Sequence, residues 1–265
     1  MLFHCSAPLP PSSPRWRRSR ARASLGKRNT RAFRAAVTFL TRIPFPGPVE
    51  PEDFPAATVY FPIVGALVGA IGAGVFWLAS IIWPTIMALV LSLAATMLVT
   101  GALHEDGLAD AADGLGGGST PERVFEIMKD SRIGTYGAIA LILSIIMKLA
   151  SLASLSRVDI VLALITGHTL ARWSSVVLLY RYAYVGTKGV AFAGGVTMPR
   201  LIIASIIALV LSAFTLHWRT IIPILATLAV GPYFKKRLGG VTGDCLGAAN
   251  QLVEIAVYLA LATNI

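Results

Sequence analysis

Val59-Tyr-Phe-Pro-Ile-Val-Gly-Ala-Leu-Val-Gly-Ala-Ile-Gly-Ala-Gly-Val-Phe-Trp-Leu-Ala-Ser-Ile-Ile-Trp83 runs for 25 residues without a charged side chain. A helix crosses the hydrocarbon core of a bilayer with about 20 mostly apolar residues, so this stretch is long enough to span. Further stretches of the same kind follow at about 85 to 103, 133 to 155, 158 to 181 and 201 to 217, with a shorter pair at about 220 to 234 and 252 to 265. Over the whole chain of 265 residues, 55% are hydrophobic and 14% charged, whereas about a quarter of a soluble domain is charged. In lipid every backbone polar group must be satisfied internally. Long unbroken apolar runs therefore mean helices, not the alternating pattern of a barrel. The expected fold is all-α, a polytopic integral membrane bundle with six or seven transmembrane helices.

The net charge of +10 comes largely from one end, since 10 of the 23 basic residues precede Val49 and seven lie between Arg15 and Arg28. Residues 1–30 combine these with Pro10, Pro11 and Pro14 and lack an apolar core, so they read as a disordered, membrane-attracted tail and not as a signal peptide. No nucleic-acid partner is expected. Residues 31–265 form a single membrane domain. It opens on an interfacial helix in which Phe33, Val37 and Leu40 recur at helical spacing, stopped by Pro44 and Pro46. Cys5 and Cys245 imply neither a disulfide framework nor a redox role. With the N-terminus on the cytoplasmic side and seven spans, 19 of the 23 basic residues fall on that side and only Arg157 and Arg219 on the other. This asymmetry puts the polar segment His104 to Arg132 on the cytoplasmic face.

That segment begins His104-Glu-Asp-Gly-Leu-Ala-Asp-Ala-Ala-Asp-Gly114. Asp106, Asp110 and Asp113 stand at i, i+4 and i+7, within roughly 60° of one another on a helix. Like charges at this spacing repel one another. Hard oxygen ligands so placed suit Mg²⁺ or Mn²⁺, which can bridge to a substrate diphosphate. Five of the 13 acidic residues fall between Glu105 and Glu122, and Gly107, Gly114 and Gly116 to Gly118 keep bulk low beside them. His104 reads either as an acid/base or phosphate contact or as a marker of the membrane interface. Ser119-Thr-Pro-Glu122 starts a short helix from Pro121 to about Lys129, with Ser119 as its cap. Beyond it, Lys129 and Arg132 flank Asp130 at the entrance to the third span, where they serve either a diphosphate or the membrane edge. Lys148 and Arg172 lie inside spans. An intramembrane cation is costly unless it has a partner or faces a polar cavity, and His168 one turn before Arg172 adds a polar group to that face. Asp244, set among glycines at the start of the last span, is placed to complete the carboxylate set.

Taken in order, Phe39-Leu-Thr-Arg-Ile-Pro-Phe-Pro46, Tyr60-Phe-Pro-Ile-Val-Gly65, Gly101-Ala-Leu-His-Glu-Asp-Gly-Leu-Ala-Asp-Ala-Ala-Asp-Gly-Leu115, Ile127-Met-Lys-Asp-Ser-Arg-Ile-Gly134 and Leu238-Gly-Gly-Val-Thr-Gly-Asp244 resemble the blocks of the cobalamin 5'-phosphate synthase, or adenosylcobinamide-GDP ribazoletransferase, family. The resemblance covers about residues 33 to 260. It implies a Mg²⁺-dependent multi-pass enzyme of the bacterial inner membrane, with its active site facing the cytoplasm, that joins α-ribazole or its 5'-phosphate to adenosylcobinamide-GDP and releases GMP. On that footing Asp106, Asp110, Asp113 and Asp244 hold the metal. Lys129, Arg132, Arg172 and Lys148 meet substrate charge, and the base is His104 or one of the aspartates. A homo-oligomer is compatible with this reading. Two positions depart from the family pattern: Glu105 stands in place of an apolar residue and Gln251 in place of an acid near the last span.

Two other readings use the same features. CDP-alcohol phosphotransferases also carry helix-borne aspartates and Mg²⁺, but their block expects Asp-Gly-x-x-Ala-Arg, and Asp110 stands here where the Arg belongs. A transporter would use Lys148 and Arg172 as a path. Its polar groups should then cluster at mid-membrane, whereas here they gather at one face.

Overall fold

The structure, a computed structural model, describes residues 28–186, 196–213, 215, 219 and 221–263. Most of the tail expected over 1–30, together with Lys188, lies outside the described residues; residues 28–30 already belong to the first helix. The helices are α1 (28–40), α2 (Pro51–Ala79), α3 (Thr85–Thr100), α4 (Leu103–Gly117), α5 (Pro121–Met128), α6 (Thr135–Ala153), α7 (Arg157–Arg181), α8 (Met198–Ser212), α9 (Ile221–Leu238) and α10 (Gly243–Ala262). Among the described residues the only β pairing is an isolated bridge between Tyr184 and Val241. By length and composition α2, α6, α7 and α10 can each cross a membrane, and α3 with α4 makes a fifth, bent, candidate. The expected count of six or seven exceeds this by α8, which has 15 residues, and α9, whose last turn carries Lys235, Lys236 and Arg237.

The apolar residues face both ways, as lipid allows. α6 turns Ile139, Ile142, Leu143 and Ile146 outward, while α7 and α10 sit at the centre with most of their surface buried. Helices in lipid gain little from hydrophobicity against one another and associate instead by close packing of small residues. A Cβ on Gly65 would strike the backbone of His168, and one on Gly69 would stand 2.7 Å from Ile165 Cα, so these two glycines let α2 lie directly on α7. Ser92 Oγ–H donates to the Gly72 carbonyl at 2.8 Å and ties α3 to α2.

One backbone event orients the acidic segment. α3 ends at Gly101 with φ 66° and ψ 29°, and the next residue, Ala102, is also left-handed with φ 56°. The Ala102 N–H closes the turn on the Met97 carbonyl at 2.8 Å, a pattern that satisfies the last carbonyls of a helix. Two left-handed residues in succession bend the chain by 88° between α3 and α4. α4, with its carboxylates, therefore runs across the end of the bundle and not along it. The short α5 begins as expected at Pro121, but its cap is Thr120, whose Oγ1 accepts from the Arg123 N–H at 3.3 Å, and not Ser119.

Candidate active site

α4 crosses the first turns of α10 at a glycine pair. A Cβ on Gly107 would stand 3.1 Å from Gly247 Cα and 3.2 Å from the Asp244 carbonyl oxygen. Backbone-to-backbone approach at this point brings Asp106 and Asp110, one turn apart on α4, to the same cavity as Asp244 in the first turn of α10. The cavity measures about 360 Å³. Lys129, at the end of α5, joins the three carboxylates on its wall, with Phe39, Phe61, Phe125 and Tyr184 as aromatic neighbours. His104 and Ser175, both buried, line it from the side of the bundle. The loop beneath Asp244 is held by the bridge at Tyr184, where the Val185 N–H reaches the Val241 carbonyl and the Val241 N–H reaches that of Ala183, each at 2.9 Å.

Asp113, expected with Asp106 and Asp110, is turned elsewhere. Its Oδ2 accepts the Gly134 N–H at 2.7 Å and its Oδ1 the Gly137 N–H at 2.8 Å. These are orphan donors of the first turn of α6, whose N-cap is a glycine with no side chain to offer, so Asp113 caps that helix from outside. Arg132 is also drawn away, for its guanidinium forks onto the carboxylate of Asp130 at 2.7 to 3.2 Å, in solvent. That fork holds the Asp130 carboxyl down to about 2. Of the two loop cations, only Lys129 faces the cavity.

Lys148 and Arg172 are each 2% exposed, and the partner their burial demands is Glu254 on α10. Lys148 Nζ stands 3.0 Å from Glu254 Oε1, Arg172 Nη1 3.8 Å from Oε2 and His168 Nδ1 3.6 Å from Oε2, while the Tyr258 hydroxyl donates to Oε1 at 3.0 Å. Lys148 also donates to Gln251 Oε1 at 2.7 Å, and Gln251 Nε2–H donates to Glu105 Oε1 at 3.1 Å. The two positions that depart from the family blocks are thus in contact, and together they carry the network to the α4 helix. Glu254 is not among the residues that motif and spacing single out. Its signal was the pair of intramembrane cations lacking an anion, and Glu254 is an acid enclosed in the apolar stretch 252 to 265.

Among the described residues no three His, Cys, Asp or Glu side chains are grouped closely enough to hold a metal ion by themselves. The donor set on the cavity, Asp106, Asp110 and Asp244, is nonetheless of hard oxygens. Mg²⁺ is ordinarily held through one or two carboxylates, with water and substrate phosphates completing its shell. The residues therefore fit an ion that arrives with a diphosphate better than a resident one.

The family model described as Cobalamin-5-phosphate synthase matches residues 32–262. An adenosylcobinamide-GDP ribazoletransferase of Polaromonas sp. (strain JS666 / ATCC BAA-500) is 40% identical, covering 89% of this chain and 97% of its own length. Those of Shewanella frigidimarina and Vibrio parahaemolyticus are 39% and 38% identical, covering 88% and 86% of this chain and 95% and 91% of their own lengths. No solved structure matches. With a family match over nearly all of the chain outside the Arg-rich tail, and relatives of this identity over more than nine-tenths of their own lengths, the chain belongs to the cobalamin-5-phosphate synthase family.

Proposed function

We propose that the chain is an adenosylcobinamide-GDP ribazoletransferase of cobalamin biosynthesis, working at the cytoplasmic face of a bacterial inner membrane. The observation that carries this is the convergence of Asp106, Asp110 and Asp244 with Lys129 on one cavity at the end of the bundle. A cavity of about 360 Å³ admits a diphosphate with a neighbouring group, and the bulky corrinoid stays at the mouth. Asp106, Asp110 and Asp244 would hold Mg²⁺, and the ion when bound would supply neutralising positive charge to the phosphate oxygens. Lys129 adds a point charge beside them. The hydroxyl of α-ribazole, or of its 5'-phosphate, attacks the cobinamide-side phosphorus. As the new O–P bond forms, the P–O bond to GMP breaks and its electron pair leaves on GMP. A group on the cavity wall, one of the carboxylates or His104, receives the hydroxyl proton. Charge gathers on the departing phosphate in the transition state, where fixed donors and cations are most effective.

Among the described residues, 12 of the 16 basic side chains belong to segments at the cavity end of the bundle and only Arg157 and Arg219 to the other, which supports the cytoplasmic orientation. The test is GMP release from adenosylcobinamide-GDP in membranes, with α-ribazole and with its 5'-phosphate, each with and without EDTA. The expected result is release that needs an acceptor and is abolished by chelation and restored by Mg²⁺. No acceptor-dependent GMP with either acceptor defeats the reading.

A further inference from the structure

Arg172 stands between the cavity and the interior. Its Nη1 lies 2.7 Å from His168 Nδ1 and its Nη2 3.5 Å from His104 Nδ1. A guanidinium has five donors and no acceptor, so in both contacts the histidine Nδ1 accepts. The ring proton of His104 then resides on Nε2, at the opposite edge of a residue that lines the cavity. Arg172 Nη1 also stands 3.8 Å from Oε2 of Glu254, an ion-pair distance, and Glu254, itself 1% exposed, is the carboxylate that pairs with it in the interior. Counting Lys148 and Arg172 against Glu254 and Glu105, the network balances two cations with two anions while both imidazoles stay neutral.

We infer that Glu254 is a positioning residue for the transfer: by anchoring Arg172 it fixes His104 with Nε2–H directed at the cavity, as a donor to the phosphate oxygen of leaving GMP. This rests on the proposed reaction and assigns within it what was left open. His104 gives a hydrogen bond and does not take the acceptor's proton; that proton passes to a carboxylate of the Asp106, Asp110 and Asp244 set. A donor serving an oxygen whose charge grows only in the transition state affects kcat and leaves ground-state binding alone.

Two variants test this against a merely structural role. Glu254→Gln keeps the shape and removes the charge. The double variant K148Q/E254Q removes one cation with the anion and restores the balance. GMP release gives kcat and KM for adenosylcobinamide-GDP, detergent-solubilised protein gives a thermal midpoint, and nitrogen NMR of histidine-labelled protein gives the tautomer of His104. The expected result for Glu254→Gln is a fall in kcat of about tenfold or more with KM within about threefold. The double variant should regain the thermal midpoint and not kcat, and the Nε2–H signal of His104, present in the wild type, should be lost in both. Recovery of kcat along with stability in the double variant, or wild-type kcat in Glu254→Gln, overturns the inference. A wild type whose His104 carries its proton on Nδ1 overturns it too, and does so irrespective of turnover. Absence of GMP release from the wild type defeats the reaction alone, and the tautomer then decides the positioning.

Discussion

The four aspartates of the site region have different work, and substitution separates them. Asp106, Asp110 and Asp244 face the cavity, so each change to Ala is expected to lower kcat for GMP release by about a hundredfold or more and to raise the Mg²⁺ concentration needed for half-maximal rate. Asp113 instead receives two backbone N–H groups of α6. Its change to Ala should cost about 1 to 2 kcal/mol of stability, as lost caps do, and leave the Mg²⁺ dependence of the folded fraction where it was. A Mg²⁺ midpoint that moves as far in Asp113→Ala as in Asp106→Ala contradicts this division. The two loop cations divide likewise. Lys129→Ala should weaken GMP release about tenfold and Arg132→Ala less than about twofold, because Arg132 is committed to Asp130 in solvent. The sign of the pH effect follows from that pair. A carboxyl held down to about 2 keeps the pairing above the ordinary aspartate range and loses it only as pH falls through about 2. Asp130 therefore contributes no pH dependence between pH 5 and 8, and its carboxyl carbon in an NMR titration should move back up toward 3.8, its ordinary value, in Arg132→Ala. Helical spacing made Asp106 and Asp110 legible from the sequence. It also assigned Asp113 to the same face, because periodicity tells which residues share a stripe and not that the stripe passes from a cavity to a neighbouring helix along its length.

At the scale of elements, the site depends on where two helices are allowed to go. The bend between α3 and α4 needs left-handed backbone at both Gly101 and Ala102, and a non-glycine residue there costs roughly 1 to 2 kcal/mol. The crossing of α4 with α10 needs the absence of side chains at Gly107 and Gly247. Valine at either place should act differently. Ala102→Val puts a β-branched side chain in the left-handed region and should lower the thermal midpoint. Gly107→Val should separate the carboxylates of α4 from Asp244, abolishing GMP release while circular dichroism keeps its helical signal, since the apolar faces of both helices still meet lipid and neighbours. Full activity in Gly107→Val would mean that the crossing does not set the site. The long apolar helices, the α5 helix and its Pro121 start are readable because apolar run length and turn residues are local signals, whereas the expected six or seven spans exceed the four or five helices long and apolar enough to cross. The bend was not, because Ala102 carries no local preference for its conformation. The deep polar network was half readable: Lys148 and Arg172 stood out as cations in apolar runs, while Glu254 was a lone acid whose meaning depends on which helices become neighbours.

At the scale of the molecule, geometry resolves the number of crossings more sharply than composition. The Tyr184–Val241 bridge joins the end of α7 to the start of α10, so both lie at one end of the bundle. α8 and α9, which intervene, must cross together or not at all, so with α3 and α4 taken as one bent span the count is five or seven. Two described residues between them lie toward the opposite end: Arg219 Nη2–H donates to the Thr263 carbonyl at 3.2 Å, just past the last residue of α10, and the Thr166 hydroxyl meets that of Thr215 at 2.9 Å. A hairpin that leaves the Arg181 end and returns from the level of Thr166 and Thr263 runs most of the depth of the bundle, and that depth is set by α7 and α10, both long enough to cross. The prediction is seven crossings, with the cavity and the cluster Lys235, Lys236, Arg237 on the cytoplasmic side as the charge rule requires. The fifteen residues of α8 reach only about 22 Å at 1.5 Å per residue, short of a hydrocarbon core of about 30 Å, so the bilayer should thin beside it. Single cysteines in a background free of Cys5 and Cys245 report this directly. Cys in place of Ser156 or Thr215 should react with a membrane-impermeant maleimide in intact spheroplasts, and Cys in place of Ser119 or Gly239 only after permeabilisation. Labelling of Thr215→Cys only after permeabilisation would place the hairpin turn on the side of the cavity, reduce the count to five, and require the Arg219 to Thr263 contact to be made differently in a bilayer.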